Sequence, residues 1–202
     1  IGSVSFIALL LTQLLTAIND NVFRWLAIGI GKDYVDQSNI GMVLMAGTAC
    51  FVVPYLVLAA PAGYLADRFS KRTVIVGCKV AEVVIMVLGV GAVLMAQFYP
   101  DAALYLRVTI VARMGAQSAL CGRSKLGSSP EIVHTDRVTA AQGLFGIPTV
   151  LAIVVGTIAG NGLFDLTRSL GSLGVWLAAA ALVGVAAAGL AASLIIGRLR
   201  AA

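Results

Sequence analysis

The chain has 202 residues, of which 60% are hydrophobic and only 11% charged, and its mean hydropathy is +1.00. A soluble domain of this length carries about a quarter charged residues, so the composition excludes a soluble globular domain and points to a polytopic all-α membrane protein. The net charge of +5 does not argue for nucleic acid as a partner, because the basic residues are scattered over short loops rather than gathered on one face.

A membrane-spanning helix needs about 20 mostly apolar residues, and six segments qualify: roughly 4–31, 40–65, 73–97, 103–121, 138–163 and 172–197. The first begins with an apolar run that lacks a basic leading region and a small-residue cleavage site, so it reads as half of a long helix rather than a signal peptide. The start at Ile1, without methionine, reads as trimmed. Midway along this span sits a polar block, Asn19-Asp20-Asn21 with Arg24 one turn on. Four residues apart, Asp20 and Arg24 share a helix face and can pair. Ionisable groups at membrane depth are costly and mark solute or ion paths, so all four residues are candidates for a path. A buried structural pair is the competing reading, but it would not need the flanking asparagines.

The second span carries Pro54 and Pro61, and the fifth Pro148; each removes a backbone hydrogen bond and predicts a kink or hinge. The third carries Lys79 and Glu82, three apart on one face; they read as a path pair, as a structural pair, or as side chains reaching toward the cytoplasmic end. The fourth carries Arg107, Arg113, Gln117 and Ser118. Arg107 lies near the outer boundary, where it can snorkel. Arg113, deeper and without a nearby acid, calls for a carboxylate from another helix or an anionic substrate. In the fifth span Gly156 and Gly160 form a GxxxG, and the sixth is nearly all Ala, Gly, Val and Leu from Ala178 to Ala192. Such surfaces allow close helix approach, and packing within the bundle is the reading preferred over a dimer interface. Cys50, Cys78 and Cys121 fall in separate apolar segments without CxxC spacing, so no metal site is expected. His134, in a polar loop, reads as solvated. No cofactor is implied.

Loop charges orient the bundle. Arg68, Lys71 and Arg72 lie in one loop, Arg123, Lys125 and Arg137 in a second, and Arg198 and Arg200 in the tail, whereas the alternate loops hold only Lys32 and Arg168. By the positive-inside rule both termini are cytoplasmic. Tyr34, Phe98, Tyr99 and Phe164 gather near the opposite boundary as an aromatic belt. The polar loading of the first and fourth helices predicts two three-helix units whose leading helices line one cavity, the inverted three-plus-three repeat of many secondary transporters.

The loop Gly63-Tyr64-Leu65-Ala66-Asp67-Arg68-Phe69-Ser70-Lys71-Arg72 resembles the signature G-x-L-a-D-r-x-G-r-K/R of the major facilitator superfamily, between its second and third helices. Gly63, Leu65, Asp67, Arg68 and the basic pair Lys71-Arg72 match, and Ser70 stands in place of glycine. The resemblance implies a latch that joins two six-helix halves in the outward-facing state. In it, Asp67 faces a helix N-terminus and the basic residues hold the loop at the cytoplasmic surface.

Two further stretches resemble the lysophospholipid transporter family, some of whose members are fused to acyltransferases. Thr16-Ala17-Ile18-Asn19-Asp20-Asn21 is similar to its A-F-x-D-N segment. Gly115-Ala116-Gln117-Ser118-Ala119, Lys125-Leu126-Gly127, Pro130-Glu131 and Ala141-Gln142-Gly143-Leu144 are similar to its G-x-x-x-A, K-Y-G, P-E-L and A-N-G-L elements, in order. Leu126 replaces the tyrosine, Gln142 the asparagine, and Arg123-Ser124 the small-proline pair. The resemblance implies a secondary transporter of a bacterial inner membrane and not an enzyme, with lysophospholipid or another amphiphilic or anionic solute as substrate, H+ or Na+ as coupling cation, and membrane lipids around it. It further implies that the chain is an N-terminal half whose C-terminal six-helix half is missing. Asp20 becomes the acid of the path and Lys125 a basic residue near a phosphate on the cytoplasmic side. The alternatives are a proton-coupled exporter of drugs or metabolites, and the membrane domain of a fused acyltransferase. Against the latter within this chain, His134 is followed by Thr135-Asp136 and not by the HxxxxD spacing.

Overall fold

The computed structural model describes residues 4–33, 36–95, 99–132 and 138–195. The side chains of Asp67, Lys71, Arg107, Arg123 and Lys125, and all of Tyr34, Phe98, His134, Arg137, Arg198 and Arg200, lie outside the described set. The described residues form six long helices: α1 (Val4–Lys32), α2 (Ile40–Arg68), α3 (Lys71–Met95), α4 (Pro100–Ile132), α5 (Val138–Leu170) and α6 (Ser172–Leu194), with a short 3-10 turn at Gln37–Asn39 before α2. No strand occurs among the described residues.

The helices run from 23 residues in α6 to 33 in α4 and α5, which at 1.5 Å per residue is about 35–50 Å. That exceeds the ~30 Å hydrocarbon core of a bilayer. All but α4 contain a stretch apolar enough to cross a membrane; α4 is diluted by its arginines and by the polar run after Cys121.

Two predicted breaks are shorter than the composition suggests. Helix α4 continues from the expected end at residue 121 to Ile132. A helix leaving the apolar core can keep its backbone bonds while its polar side chains are solvated. Helix α5 continues through Asp165 and Arg168 to Leu170, and α6 begins after Gly171 alone. Gly171 has φ 54°, a left-handed value that glycine reaches without a Cβ penalty, so a single residue reverses the chain. The helices are continuous through Pro54, Pro61 and Pro148.

Helix α1 packs most extensively on α5, and α4 on α2; α1 also meets α6 while α4 meets α3, and α3 meets α6. Exchanging the first three helices with the last three maps these contacts onto one another, although α5 meets α6 far more extensively than α2 meets α3. The first and second triplets of helices thus pack in corresponding ways. The main core joins Val22, Phe23 and Leu26 of α1 to Met86 of α3, Ile110 and Met114 of α4, and Ala178, Leu182 and Ala186 of α6. A second cluster sets Phe6 and Leu9 against Ile75 and Phe145, with the Phe6 and Phe145 rings edge to face at 6.0 Å. Outward faces carry exposed apolar side chains, among them Leu56 and Val57 on α2, Ile147 and Ile158 on α5, and Trp176 on α6, a surface suited to lipid or to further apolar helices.

The GxxxG lies inside the bundle. A Cβ on Gly156 would come within 2.6 Å of Asn21 Cβ and 2.9 Å of the Ile18 carbonyl oxygen; one on Gly160 would come within 2.7 Å of the Val22 carbonyl oxygen and 2.8 Å of Trp25 Cβ. The two glycines bring α5 onto the backbone of α1 beside the polar block.

Candidate functional site: a polar chamber on α1

Helix α1 turns one face to a cavity of about 240 Å³ that spans four helices. It contributes Gln13, Thr16, Ala17, Asp20, Asn21 and Arg24; α2 adds Phe51 and Tyr55, α4 adds Ser118, Cys121 and Gly122, and α5 adds Thr149 and Ile153. The leading two helices of each triplet therefore build the chamber, and α3 and α6 stand behind it.

The side chains facing the chamber are joined to one another. Ser118 of α4 donates its hydroxyl to Asp20 Oδ2, and Gln13 Nε2 donates to Thr149 Oγ1 across to α5 at 3.0 Å. Arg24, half-buried, donates from Nη2 to Asn21 Oδ1 at 2.6 Å. Its guanidinium carbon stands 5.4 Å from the Phe51 ring centroid and 5.9 Å from that of Trp25, within cation–π range. Asn21 in turn donates to the Ala17 carbonyl at 2.7 Å. A carboxylate and a guanidinium thus line one partly open cavity.

A second polar group lies behind the chamber and does not line it. Lys79 and Glu82 of α3 are 0% and 1% exposed and form an ion pair at 2.7 Å. Asn19, fully buried on α1, donates from Nδ2 to Glu82 Oε1 at 3.2 Å. Gln117 of α4, also buried, donates to the Cys78 carbonyl of α3 at 2.9 Å. Helix α6 leaves room for the ammonium: a Cβ on Gly189 would stand 2.5 Å from Lys79 Nζ.

The proposed path residues therefore separate. Asp20, Asn21 and Arg24 face the chamber, while Asn19, Gln117, Lys79 and Glu82 are packed in the bundle interior. Arg113 has an exposed side chain and is not among the chamber residues; its depth was legible but not its direction around α4. The Lys125 side chain lies outside the described set. The sequence reading passed over Thr16, Phe51, Tyr55, Cys121 and Thr149. For Thr16 the signal was present, since 13, 16, 20 and 24 follow the three- and four-residue spacing of one helix face.

At the turn between α2 and α3, Arg68 Nη1 donates to the Tyr64 hydroxyl at 2.9 Å. Ser70, standing where the signature has glycine, caps α3: its Oγ accepts the Thr73 backbone N–H at 3.3 Å and lies 2.5 Å from Thr73 Oγ1, the geometry of an N-cap side chain. Among the described residues, nothing lies within 4 Å of where a Cβ on Gly63 would stand. The Asp67 and Lys71 side chains of this loop lie outside the described set, and Arg72 lies within the first turn of α3.

The fold and the chamber define a polytopic helical membrane protein with a charged pocket walled by four of its helices. No family model matches the chain, and no solved structure matches it. Among curated proteins it is similar to the Lysophospholipid transporter LplT of Serratia proteamaculans, 32% identical over 166 residues that cover 80% of this chain and 37% of that protein. The protein of the same name from Cronobacter sakazakii is 29% identical over 163 residues, covering 78% of this chain and 36% of the relative. That from Salmonella paratyphi A is 30% identical over an alignment of 210 positions, covering 100% of this chain and 45% of the relative. The chain spans less than half the length of these curated relatives. It is a homologue of the lysophospholipid transporter family, and its apolar helices and bacterial relatives make it a multi-pass protein of a bacterial inner membrane.

Proposed function

We propose that this chain supplies one half of a major facilitator transporter that moves lysophospholipid across the inner membrane by alternating access, with both termini in the cytoplasm. The observation that carries the reading is the presence of Asp20 and Arg24 in one chamber. A lysophospholipid head with a phosphate and an ammonium group needs one partner of each sign. A guanidinium suits phosphate because its planar fork can donate two parallel hydrogen bonds. A carboxylate at membrane depth suits the ammonium or a coupling cation, H+ or Na+. The names of the homologues support transport rather than enzymatic catalysis.

In this reading the remaining length of such transporters forms a second six-helix half that closes the open side of the chamber. Gly63, Asp67, Arg68, Lys71 and Arg72 latch the halves from the cytoplasmic side, and the open space around Gly63 is available to that half. Arg113, outside the chamber, and Lys125, on the cytoplasmic side, attract the anionic head before or after it passes Asp20.

The test is uptake of labelled lysophosphatidylethanolamine by membrane vesicles containing the intact protein, beside uptake of a small hydrophobic cation. An Asp20→Asn protein should insert at normal levels and lose lysophospholipid transport. Near-normal transport by that variant would sink the assignment, and an intact protein that moves only the cation would be an exporter of the other kind.

A further inference from the structure

Two residue pairs organise the boundary between the chamber and the core. On α1, Asn19 points inward and Asp20 into the chamber; on α4, Gln117 points inward and Ser118 into the chamber. Consecutive residues lie about 100° apart around a helix. Whatever holds the inward residue therefore sets where the next one points. For Asn19 the hold is specific. Among the described residues its side chain has one hydrogen-bond partner, Glu82, and its Oδ1 has none.

We propose that Glu82 is a positioning residue for Asp20: by accepting the Asn19 amide it fixes the rotation of α1 that turns the Asp20 carboxylate toward Ser118 and the chamber. Lys79 neutralises the acceptor at 2.7 Å, and Gly189 on α6 makes the room that keeps the ammonium there. Neither charge touches the chamber, so neither contacts the solute. The glycines of α5 set how closely α1 is held but offer its polar block no side-chain hydrogen bond. The ion pair, by contrast, is directional and grips one residue next to the acid. The link to transport rests on the function proposed above; the link to orientation does not.

The experiment separates the two. Removing one member of a buried ion pair leaves an unpaired charge and endangers folding, so the variants are neutral doubles in the intact protein. Lys79→Met with Glu82→Gln keeps an acceptor for Asn19, and Lys79→Met with Glu82→Leu removes it. Orientation is read by disulfide formation between cysteines placed by Asp20→Cys and Ser118→Cys, with the native Cys50, Cys78 and Cys121 replaced by serine. The cross-link should form at parental rate with glutamine at 82 and about fivefold more slowly with leucine, the loss expected for one net hydrogen bond. Equal cross-linking in the two doubles, at equal thermal stability, overturns the proposal. Transport is measured separately, on doubles that retain Asp20, Ser118 and the native cysteines. Lysophosphatidylethanolamine uptake should survive in the glutamine double and fall in the leucine double. Loss in both, with the cross-link intact in the glutamine double, overturns the positioning role by making the charges themselves part of the path. If the parent protein moves no lysophospholipid, the function proposed above fails while the cross-linking result still decides the orientation.

Discussion

Helix α5 offers a controlled comparison within one element: Gly156, Gly160 and Gly162 are six residues apart at most, yet a methyl group meets different surroundings at each. At Gly160 a Cβ would sit 2.7 Å from the Val22 carbonyl oxygen and 3.2 Å from Val22 Cα; at Gly156 it would sit 2.6 Å from Asn21 Cβ and 2.9 Å from the Ile18 carbonyl oxygen. Ordinary contact is nearer 3.5–4.0 Å, so α5 must retreat by most of an ångström, and the contacted atoms are largely backbone that cannot turn aside. Overpacking of this kind costs about 1–3 kcal/mol. At Gly162 nothing lies within 4 Å, and alanine should be neutral or stabilise by up to about 1 kcal/mol through its helix preference. The expected order of stability is therefore Gly162→Ala at or above the parent, with Gly156→Ala and Gly160→Ala below it. The assay is the heating midpoint of the intact protein in detergent, followed by size-exclusion recovery. Because Gly156 abuts Asn21, its alanine variant should also slow lysophospholipid uptake. Equal midpoints for the three variants would refute the close α1–α5 contact and would return the GxxxG to a role outside the bundle.

Arg24→Lys keeps the charge but loses the planar group over Phe51 and the Nη2 donor to Asn21, so uptake should fall about tenfold, the scale of a lost hydrogen bond to a charged group; unchanged uptake would show that charge alone suffices. Ser70→Ala should lower stability by about 1 kcal/mol through loss of the α3 cap, while Ser70→Gly should cost only a few tenths. Heating midpoints of the two variants check this order, and a glycine variant as unstable as the alanine one would contradict the capping role.

The positions of the helices and of the polar block were legible because both are one-dimensional: an apolar run of sufficient length, and charges interrupting it. Direction around a helix was not. Lys79 and Glu82 share a face by spacing, but nothing in their spacing says whether that face meets a cavity or another helix; the answer came from Asn19 on α1 and Gly189 on α6, distant in sequence. Arg113 shows the converse, since its depth in the span suggested a buried charge and the side chain is exposed. Helix α4 runs on past the apolar span read for it, to Ile132, because loss of hydropathy does not end backbone hydrogen bonding. Ser70 read as a departure from a signature, and its role emerged only when its hydroxyl was found on the first turn of α3.

The two halves of the bundle repeat in packing but not in polar content, and this asymmetry has a physical basis. In the first triplet α3 serves as the common reference for both cavity-lining helices: Glu82 takes the Asn19 amide of α1, and the Cys78 carbonyl, one turn earlier, takes the Gln117 amide of α4. The next residue on each of those helices, Asp20 and Ser118, then meet each other in the chamber. The counterpart of α3 in the second triplet, α6, has no such charges and is built of small residues, with Gly189 against Lys79. A second buried ion pair would add another desolvation penalty that Coulomb attraction does not reliably repay. It would also fill the space that the first pair occupies. One charged reference helix backed by one small-residue helix is therefore enough, in the positioning proposed above, to orient the two walls that carry Asp20 and Ser118.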